Sequence, residues 1–212
     1  MSSSGDLFER ISSFVEAHLL ETGREQVASP MGPKYYFEHS LRVAFWCWRL
    51  ALEMHTDVSI CVAAGLLHDV SHFESEKHGV QGAISAETAR RFMETEGFKK
   101  EFIGTVAYAI ENQAQEGRPK TLETKILQDA NKMDEFGYFR LLLFAKTVAE
   151  SFSGMEKSVN SLLAEVEKLE KGDYGQMWTS MGKTRMATQT ALYKGFLKGL
   201  LEEIENIRTT MR

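Results

Sequence analysis

The sequence predicts an all-α protein, a single irregular helical bundle. Apolar residues recur at helical spacing through most of the 212-residue chain. Sustained period-two alternation is absent, and so are the Asn-Gly and Asp-Gly turns that are typical of hairpins. The three prolines, Pro30, Pro33 and Pro119, all lie where the helical spacing lapses. Together these observations favour helices joined by short loops.

Nine helices are expected in order along the chain. The first begins at a capping box formed by Asp6 and Glu9 and runs to about Leu20. Gly23 to Pro33 is expected to be a loop, because the apolar period stops there. The other helices are expected near residues 34–54, 57–70, 78–96, 99–112, 121–134, 135–152, 155–171 and 183–207.

Length and composition are those of an ordinary folded protein. With 43% hydrophobic and 26% charged residues, the chain fits one domain with a sizeable core. A net charge of -5 and a pI near 5.7 argue against a nucleic-acid partner held by bulk electrostatics. They do not exclude a small phosphorylated ligand, because a metal ion or a local basic pair can neutralise its charge.

Several features favour a cytoplasmic location without a membrane partner. The first ten residues lack the features of a signal peptide, and no apolar stretch is long enough to cross a bilayer. Cys47 and Cys61 belong to no CxxC pair, which favours buried free thiols in a reducing compartment. Residues 197–207 are amphipathic and acidic, which favours packing on the bundle or on a second copy in a homo-oligomer.

A carboxylate lies in the middle of the apolar stripe of the sixth expected helix. On a wheel of 100° per residue, Asp129 falls within about 60° of Leu122, Ile126 and Met133. An unpaired charge buried there costs several kcal/mol, so Asp129 needs a cation or strong hydrogen bonds. An ion pair with a nearby lysine or arginine is the alternative to a metal ion.

Two histidines and a second aspartate extend this pattern. The wheel places His39 on the apolar face of its helix, and places His68 beside the small residues Ala64 and Gly65. Asp69 follows at the expected carboxyl end of the third helix, where a nearby cation would offset the unfavourable helix dipole. A single inward histidine or aspartate is more often a hydrogen-bonded core group. Two imidazoles with two carboxylates are a good ligand set for a divalent metal.

These residues occur in the order of a known motif. His39, the pair His68-Asp69 within AAGLLHDV, and Asp129 within ILQDANKMD resemble the H…HD…D motif of the HD-domain superfamily. The flanking segments HSLRVA and TLETKIL are also similar to those of HD-domain proteins. Motif residues in this order and in this context are specific for the superfamily. The resemblance is strong over about residues 8–143 and weaker in the tail. It implies one HD-type domain over residues 1–212, with a helical C-terminal extension from about 144.

Members of this superfamily are metal-dependent phosphohydrolases with an all-helical fold, so the resemblance implies that the four motif residues hold a metal ion. Many members carry further histidines that hold a second metal. His78 resembles the first of these. In the segment IENQ, however, Gln113 stands where the next histidine is expected. We therefore expect one divalent metal ion, either Mn, Fe, Mg, Zn or Co.

The resemblance implies attack of a metal-activated water on a phosphate ester. Asp69 would orient or deprotonate that water, and His72, four residues after His68, is a candidate acid or base. A solvent-exposed cap is the alternative for His72. Four residues are candidates for substrate binding, each with a salt bridge or a solvated loop as its alternative: Arg42, Lys132, His78 and Lys77.

Three functions remain open from the sequence. The leading one is hydrolysis of a nucleotide or another small phosphate ester. The first alternative is a non-catalytic module that binds a metal or a nucleotide, and the intact ligand set counts against it. The second alternative is a di-iron oxygenase of the HD type, and Gln113 counts against it because that chemistry needs the fuller histidine set.

Overall fold

The computed structural model describes residues 4–29, 31–74, 80–114, 119–150, 154–168 and 177–210. These residues form nine α-helices and no strand, which confirms the predicted fold class. None of the helices in these ranges is long and apolar enough to cross a membrane. The helices are α1 Ser4–Thr22, α2 Pro33–Glu53, α3 Val58–Leu67, α4 Gln81–Thr95, α5 Lys100–Glu111, α6 Leu122–Glu135, α7 Tyr138–Glu150, α8 Met155–Lys168 and α9 Ser180–Thr210.

Local chemistry explains where the helices that carry the site begin. Pro33 opens α2, where its missing N–H is not needed and its fixed φ suits the helix. Asp57 caps α3, because its carboxylate accepts hydrogen bonds from the backbone N–H groups of Ser59 at 2.8 Å and Ile60 at 3.2 Å. Both signals are local, so the sequence predicts these helix starts to within a residue or two.

The end of α3 differs from the sequence-based expectation. The periodicity predicts a helix that reaches Val70, but α3 ends at Leu67, so that His68 and Asp69 lie just beyond it. Tight turns follow, in which the N–H of Val70 donates to the carbonyl of Leu67 at 3.2 Å and that of His72 to Asp69 at 3.0 Å. The expectation that Asp69 belongs to the helix is therefore wrong, because Asp69 lies in the turns that follow it.

The chain divides into two compact units, residues 1–131 and 132–212. In the first unit, α2 packs against α3, α4 packs against α5, and α1 contacts both α2 and α3. In the second unit, α8 packs against α9. The buried residues of that second core are Val159, Leu162, Val166, Tyr193 and Leu197. The predicted single domain over residues 1–212 stays a prediction.

A glycine sets the distance between α2 and α3. A Cβ atom added at Gly65 would lie 2.8 Å from the Cα of Ala44 and 3.0 Å from the Sγ of Cys47. Only glycine permits this approach, since the nearest atom belongs to the backbone of the neighbouring helix. The close packing brings the helix that carries His39 against the end of the helix that precedes His68.

Candidate metal centre

Three ligand-type atoms converge where α2 meets the turn after α3. The Nε2 atoms of His39 and His68 lie 3.2 Å apart. The Oδ2 atom of Asp69 lies 3.6 Å from the Nε2 of His68 and 3.9 Å from that of His39. Among the described residues, these three form a group whose ligand atoms all lie within 4.8 Å of one another.

The dimensions of this group suit a metal ion. A triangle with sides of 3.2, 3.6 and 3.9 Å has a circumscribed circle with a radius of about 2.1 Å. One point in its plane is therefore about 2.1 Å from both imidazole nitrogens and from the carboxylate oxygen, and zinc bonds to such atoms measure roughly 2.0–2.2 Å. The ligand types and their spacing both fit a divalent cation.

The three side chains differ in their contact with solvent. His68 is completely buried and His39 is 7% exposed, whereas the Asp69 side chain is 22% exposed. The imidazoles are thus shielded by the core, and the group opens to solvent on the side of the carboxylate. An opening of this kind is what a catalytic metal site requires for water and substrate.

The neighbours of His68 fix which of its nitrogens faces the group. Its Nδ1 lies 2.9 Å from the carbonyl oxygen of Gly65, which can only accept, so Nδ1 carries the hydrogen. In the neutral imidazole the lone pair is then on Nε2, the atom that faces His39 and Asp69. The accepting carbonyl belongs to the last turn of α3, where carbonyls lack helical partners. This hydrogen bond therefore orients the His68 ring.

Gln113 supports the same turn from the end of α5. Its Nε2 donates to the carbonyl of His68 at 2.9 Å, across 45 residues of sequence. Its Oε1 is buried and accepts no hydrogen bond from the described residues. The residue that stands where the sequence motif leads us to expect a histidine thus holds the backbone of the turn that carries His68 and Asp69.

Asp129 is completely buried on α6, together with Ile126 and Met133. The inward orientation predicted for these three side chains is confirmed. Gln128, the preceding residue, donates to the carbonyl of Asn112 at 3.3 Å and ties α6 to the end of α5. The role of Asp129 as a fourth ligand stays a prediction.

His72 lies at the edge of the three-residue group. Its ring stacks on Tyr36 with the ring centroids 3.4 Å apart, and Tyr36 meets the ring of His39 edge-on at 6.4 Å. Burial lowers the pKa of His72 below its ordinary value of 6.5; the Asp69 charge acts in the opposite direction, while His39 and His68 add to the lowering. His72 is therefore neutral at neutral pH.

Tyr36 is a site residue that the sequence reasoning missed. Burial raises its pKa to about 12, and the charge of Asp69 adds to this, so the phenol stays protonated and can donate a hydrogen bond. Its position three residues before His39 in α2 was an available signal, because residues three apart share a helix face. Gln81, which contacts His72, was also missed and carries no comparable signal in the sequence.

The structure describes two of the four candidate substrate-binding residues, Arg42 and Lys132. The Arg42 guanidinium lies over the Tyr35 ring at 5.8 Å, and that ring is parallel to the ring of His39 at a centroid distance of 6.4 Å. Lys132 lies in the last turn of α6. Lys77 and His78 lie outside the described residues. The substrate roles of all four stay predictions.

Comparison with known proteins shows what the region around this site is similar to. Residues 36–135 match the family model of the HD domain. That range contains His39, His68, Asp69 and Asp129, so all four predicted ligands lie within the region that is similar to the HD domain. Ribonuclease Y of Thermoanaerobacter pseudethanolicus is 29% identical over 132 residues, which is 57% of this chain and 24% of that protein. Ribonuclease Y of Geobacter metallireducens is 31% identical over 98 residues, which is 46% and 17%. The chain thus spans about a quarter or less of the length of these curated relatives.

Two solved structures share the fold over most of the chain. A predicted HD superfamily hydrolase from an uncultured Thermotogales bacterium has a TM-score of 0.61 and 22% identity, and covers 89% of this chain and 90% of its own. An HD-superfamily hydrolase from Bacillus thuringiensis has a TM-score of 0.63 and 20% identity, with 96% and 99% coverage. These likenesses establish the all-α fold of HD proteins.

Proposed function

We propose that the protein is a metal-dependent phosphohydrolase that acts on a nucleotide or another small phosphate ester. The observation that carries this proposal is the group of two imidazole nitrogens and one carboxylate oxygen, all about 2.1 Å from one point and open on the carboxylate side. The names of the similar proteins, which are hydrolases and ribonucleases, support the same class of reaction. The negative net charge supports a small substrate over a nucleic acid.

One divalent cation is proposed for the site. His39, His68 and Asp69 would hold it, with Asp129 as the fourth ligand, and the mixed nitrogen and oxygen set suits Mn, Fe, Zn, Co or Mg. When bound, the cation would polarise a phosphoryl oxygen and lower the pKa of a water molecule. The single-metal proposal rests on Gln113, whose amide nitrogen is committed to a backbone carbonyl.

The residues of the chain account for the remaining steps. Oδ2 of Asp69 faces the imidazoles, which leaves its other oxygen to orient the attacking water and to take its proton. The water oxygen forms the new bond to phosphorus, the ester P–O bond breaks, and the leaving oxygen takes a proton from solvent. Tyr36 and His72 line the group and can donate hydrogen bonds to the phosphoryl oxygens. Arg42 would neutralise substrate charge, as would Lys132 and Lys77, and His78 would contact the substrate.

A substrate screen tests this function. The full chain would be loaded with Mn²⁺, Mg²⁺ or Co²⁺ and offered nucleoside mono-, di- and triphosphates, cyclic dinucleotides and a short RNA. We expect phosphate release or ring opening from at least one small ester, and a loss of at least about 100-fold in Asp69→Asn. Glu87→Gln, a change of an exposed carboxylate on α4, serves as the matched control and should keep full activity.

Two other results of the screen would contradict the proposal. No hydrolysis of any compound with any of the metals would indicate a non-catalytic binding module. Cleavage confined to the RNA would assign the chain the substrate class named for its ribonuclease relatives and would contradict the small-ester proposal.

We also propose that the protein works in a reducing compartment, the cytoplasm. Cys47 and Cys61 are both buried free cysteines. Burial raises the pKa of Cys47 well above its usual range and that of Cys61 to about 12, with nearby negative groups adding to the second shift. Both therefore remain thiols that serve as small apolar packing groups.

A further inference from the structure

The edge of the His72 ring is held by an amide from α4. The side-chain nitrogen of Gln81 lies 2.9 Å from the Nδ1 of His72 and 2.9 Å from the backbone carbonyl oxygen of the same residue. An amide nitrogen donates and does not accept, and it has two hydrogens, one for each of these partners. Nδ1 must therefore present its lone pair to Gln81.

This contact decides the position of the ring hydrogen. A neutral imidazole carries one N–H hydrogen. Because Nδ1 is unprotonated, that hydrogen is on Nε2. His68 has the opposite arrangement, because its Nδ1–H donates to the carbonyl of Gly65 and its Nε2 is unprotonated. Two histidines four residues apart are thus set in opposite tautomers by their partners, one by a carbonyl oxygen and the other by an amide nitrogen.

The His72 ring lies beside the metal centre. The charged groups that act on the His72 ring are Asp69, His39 and His68, the three members of the metal-binding group. Stacking on Tyr36 fixes the plane of the ring, and Gln81 fixes its rotation within that plane. Within the part of the chain that the structure describes, no group accepts a hydrogen bond from Nε2. Among these residues the N–H therefore has no acceptor and is free to donate to a bound ligand.

We propose that Gln81 is a positioning residue that fixes His72 in the Nε2–H tautomer and so gives the metal centre a neutral hydrogen-bond donor for an anionic substrate oxygen. The same contact keeps His72 from serving as a third imidazole ligand, because its unprotonated nitrogen, Nδ1, already accepts a hydrogen bond from Gln81. It also separates His72 from the role of a general base, since a donor nitrogen cannot take a proton. Identification of the acceptor as a phosphoryl oxygen rests on the proposed function, whereas the tautomer does not.

The chemistry of a neutral donor explains why an amide suits this position. A carboxylate at position 81 would accept from Nδ1–H and place the lone pair on Nε2, which repels an anionic oxygen. The amide gives the reverse polarity without adding charge to a centre that also has to attract a cation. A neutral imidazole held in this way polarises a bound oxygen by hydrogen bonding alone.

Long-range ¹H–¹⁵N correlation spectra test the tautomer directly. The full chain with ¹⁵N-labelled histidine and one equivalent of Zn²⁺ would be measured at neutral pH, and the His72 signals assigned by their loss in His72→Phe. We expect the Nε2–H pattern in the native chain, the Nδ1–H pattern in Gln81→Glu and a mixture in Gln81→Leu. Glu87→Gln changes an exposed side chain on α4, the helix that carries Gln81, and should leave the His72 pattern unchanged.

A titration with inorganic phosphate tests the donor role on the same samples. We expect Gln81→Glu to bind phosphate about 3- to 10-fold more weakly at equal zinc occupancy, the size of one hydrogen bond. An Nδ1–H or doubly protonated His72 in the native chain would overturn the tautomer. Equal phosphate affinity in the native chain and Gln81→Glu would overturn the donor role. A chain that shows both effects but hydrolyses no ester would contradict the proposed function and leave this inference standing.

Discussion

His39, His68 and Asp69 illustrate how single residues acquire their function from their partners. The carbonyl of Gly65 accepts a hydrogen bond from the Nδ1–H of His68, so that its Nε2 faces the group, while the 22% exposed Asp69 side chain opens the group to solvent. The partner of His68 is a backbone carbonyl three residues before it. The orientation of this ring therefore depends on a backbone contact that a pattern of side chains does not indicate.

The first prediction at this scale concerns Asp129. If this buried carboxylate is the fourth ligand, Asp129→Ala removes a negative charge that offsets that of the cation, and we expect the protein to lose its metal during gel filtration. Metal content per chain, measured by inductively coupled plasma mass spectrometry, checks this. Asp134→Ala is the matched control, because Asp134 is also a buried carboxylate of α6 and should be dispensable for metal binding. Full occupancy in Asp129→Ala would exclude it as a ligand.

A second prediction concerns the pH dependence of stability. The pKa of His72 is lowered in the folded state, mainly by burial, so the unfolded chain binds this proton more tightly. His72 therefore makes the fold less stable as the pH falls through 6.5, and the loss levels off below its folded pKa. His72→Gln should lose less stability than the native chain between pH 7 and pH 5 in urea unfolding. Parallel profiles for the two proteins would contradict the lowered pKa.

At the scale of elements, the contact between α2 and α3 determines the geometry of the site. Gly65→Ala would place a methyl group 2.8 Å from the Ala44 backbone and push the helices apart. We expect a loss of about 1–3 kcal/mol in the free energy of unfolding and a fall of about 10-fold or more in metal affinity, as for a disturbed ligand support. Calorimetric titration and chemical unfolding measure both quantities.

Gly104→Ala provides the control for that experiment. Gly104 is also within a helix, α5, but a Cβ atom there meets nothing within 4 Å. Because alanine is the better helix former, this change should leave stability equal or raise it by about 0.5–1 kcal/mol, with metal affinity unchanged. A loss of stability in Gly104→Ala equal to that in Gly65→Ala would indicate that close helix packing is not the cause.

The helices also show which features the sequence can predict. Asp57 and Pro33 mark helix starts through local chemistry, and helical periodicity alone predicts the burial of Asp129 and His39. The early end of α3 has no such signal. At this helix end Gln113 donates to the carbonyl of His68, a contact between residues 45 positions apart that hydrophobic periodicity does not indicate.

At the scale of the whole molecule, the all-α class follows from composition and periodicity, but the site does not. His39 and His68 are 29 residues apart, and only the packing of α2 on α3 brings their Nε2 atoms to 3.2 Å. The sequence motif named these residues, whereas their distances and the contributions of Tyr36 and Gln81 came from the fold. Long-range packing is specified by many small contacts, and no single residue pattern encodes it.

Metal binding should stabilise the folded chain as a whole. A cation that binds only the folded state at 100 times its Kd adds about 2.7 kcal/mol to the free energy of unfolding. Thermal scans with and without Mn²⁺ should therefore show a higher Tm for the native chain and no change for His68→Asn, which lacks one ligand. An equal shift in both proteins would place the responsible metal outside the proposed centre.

Anomalous diffraction from crystals of the Mn²⁺-loaded protein tests the central claim most directly. We predict one strong manganese peak per chain, about 2.1 Å from the Nε2 atoms of His39 and His68 and from the Oδ2 of Asp69. The peak should disappear in crystals of His68→Asn. No peak at this position, or two peaks of equal height within the site, would contradict a single metal ion bound by these residues.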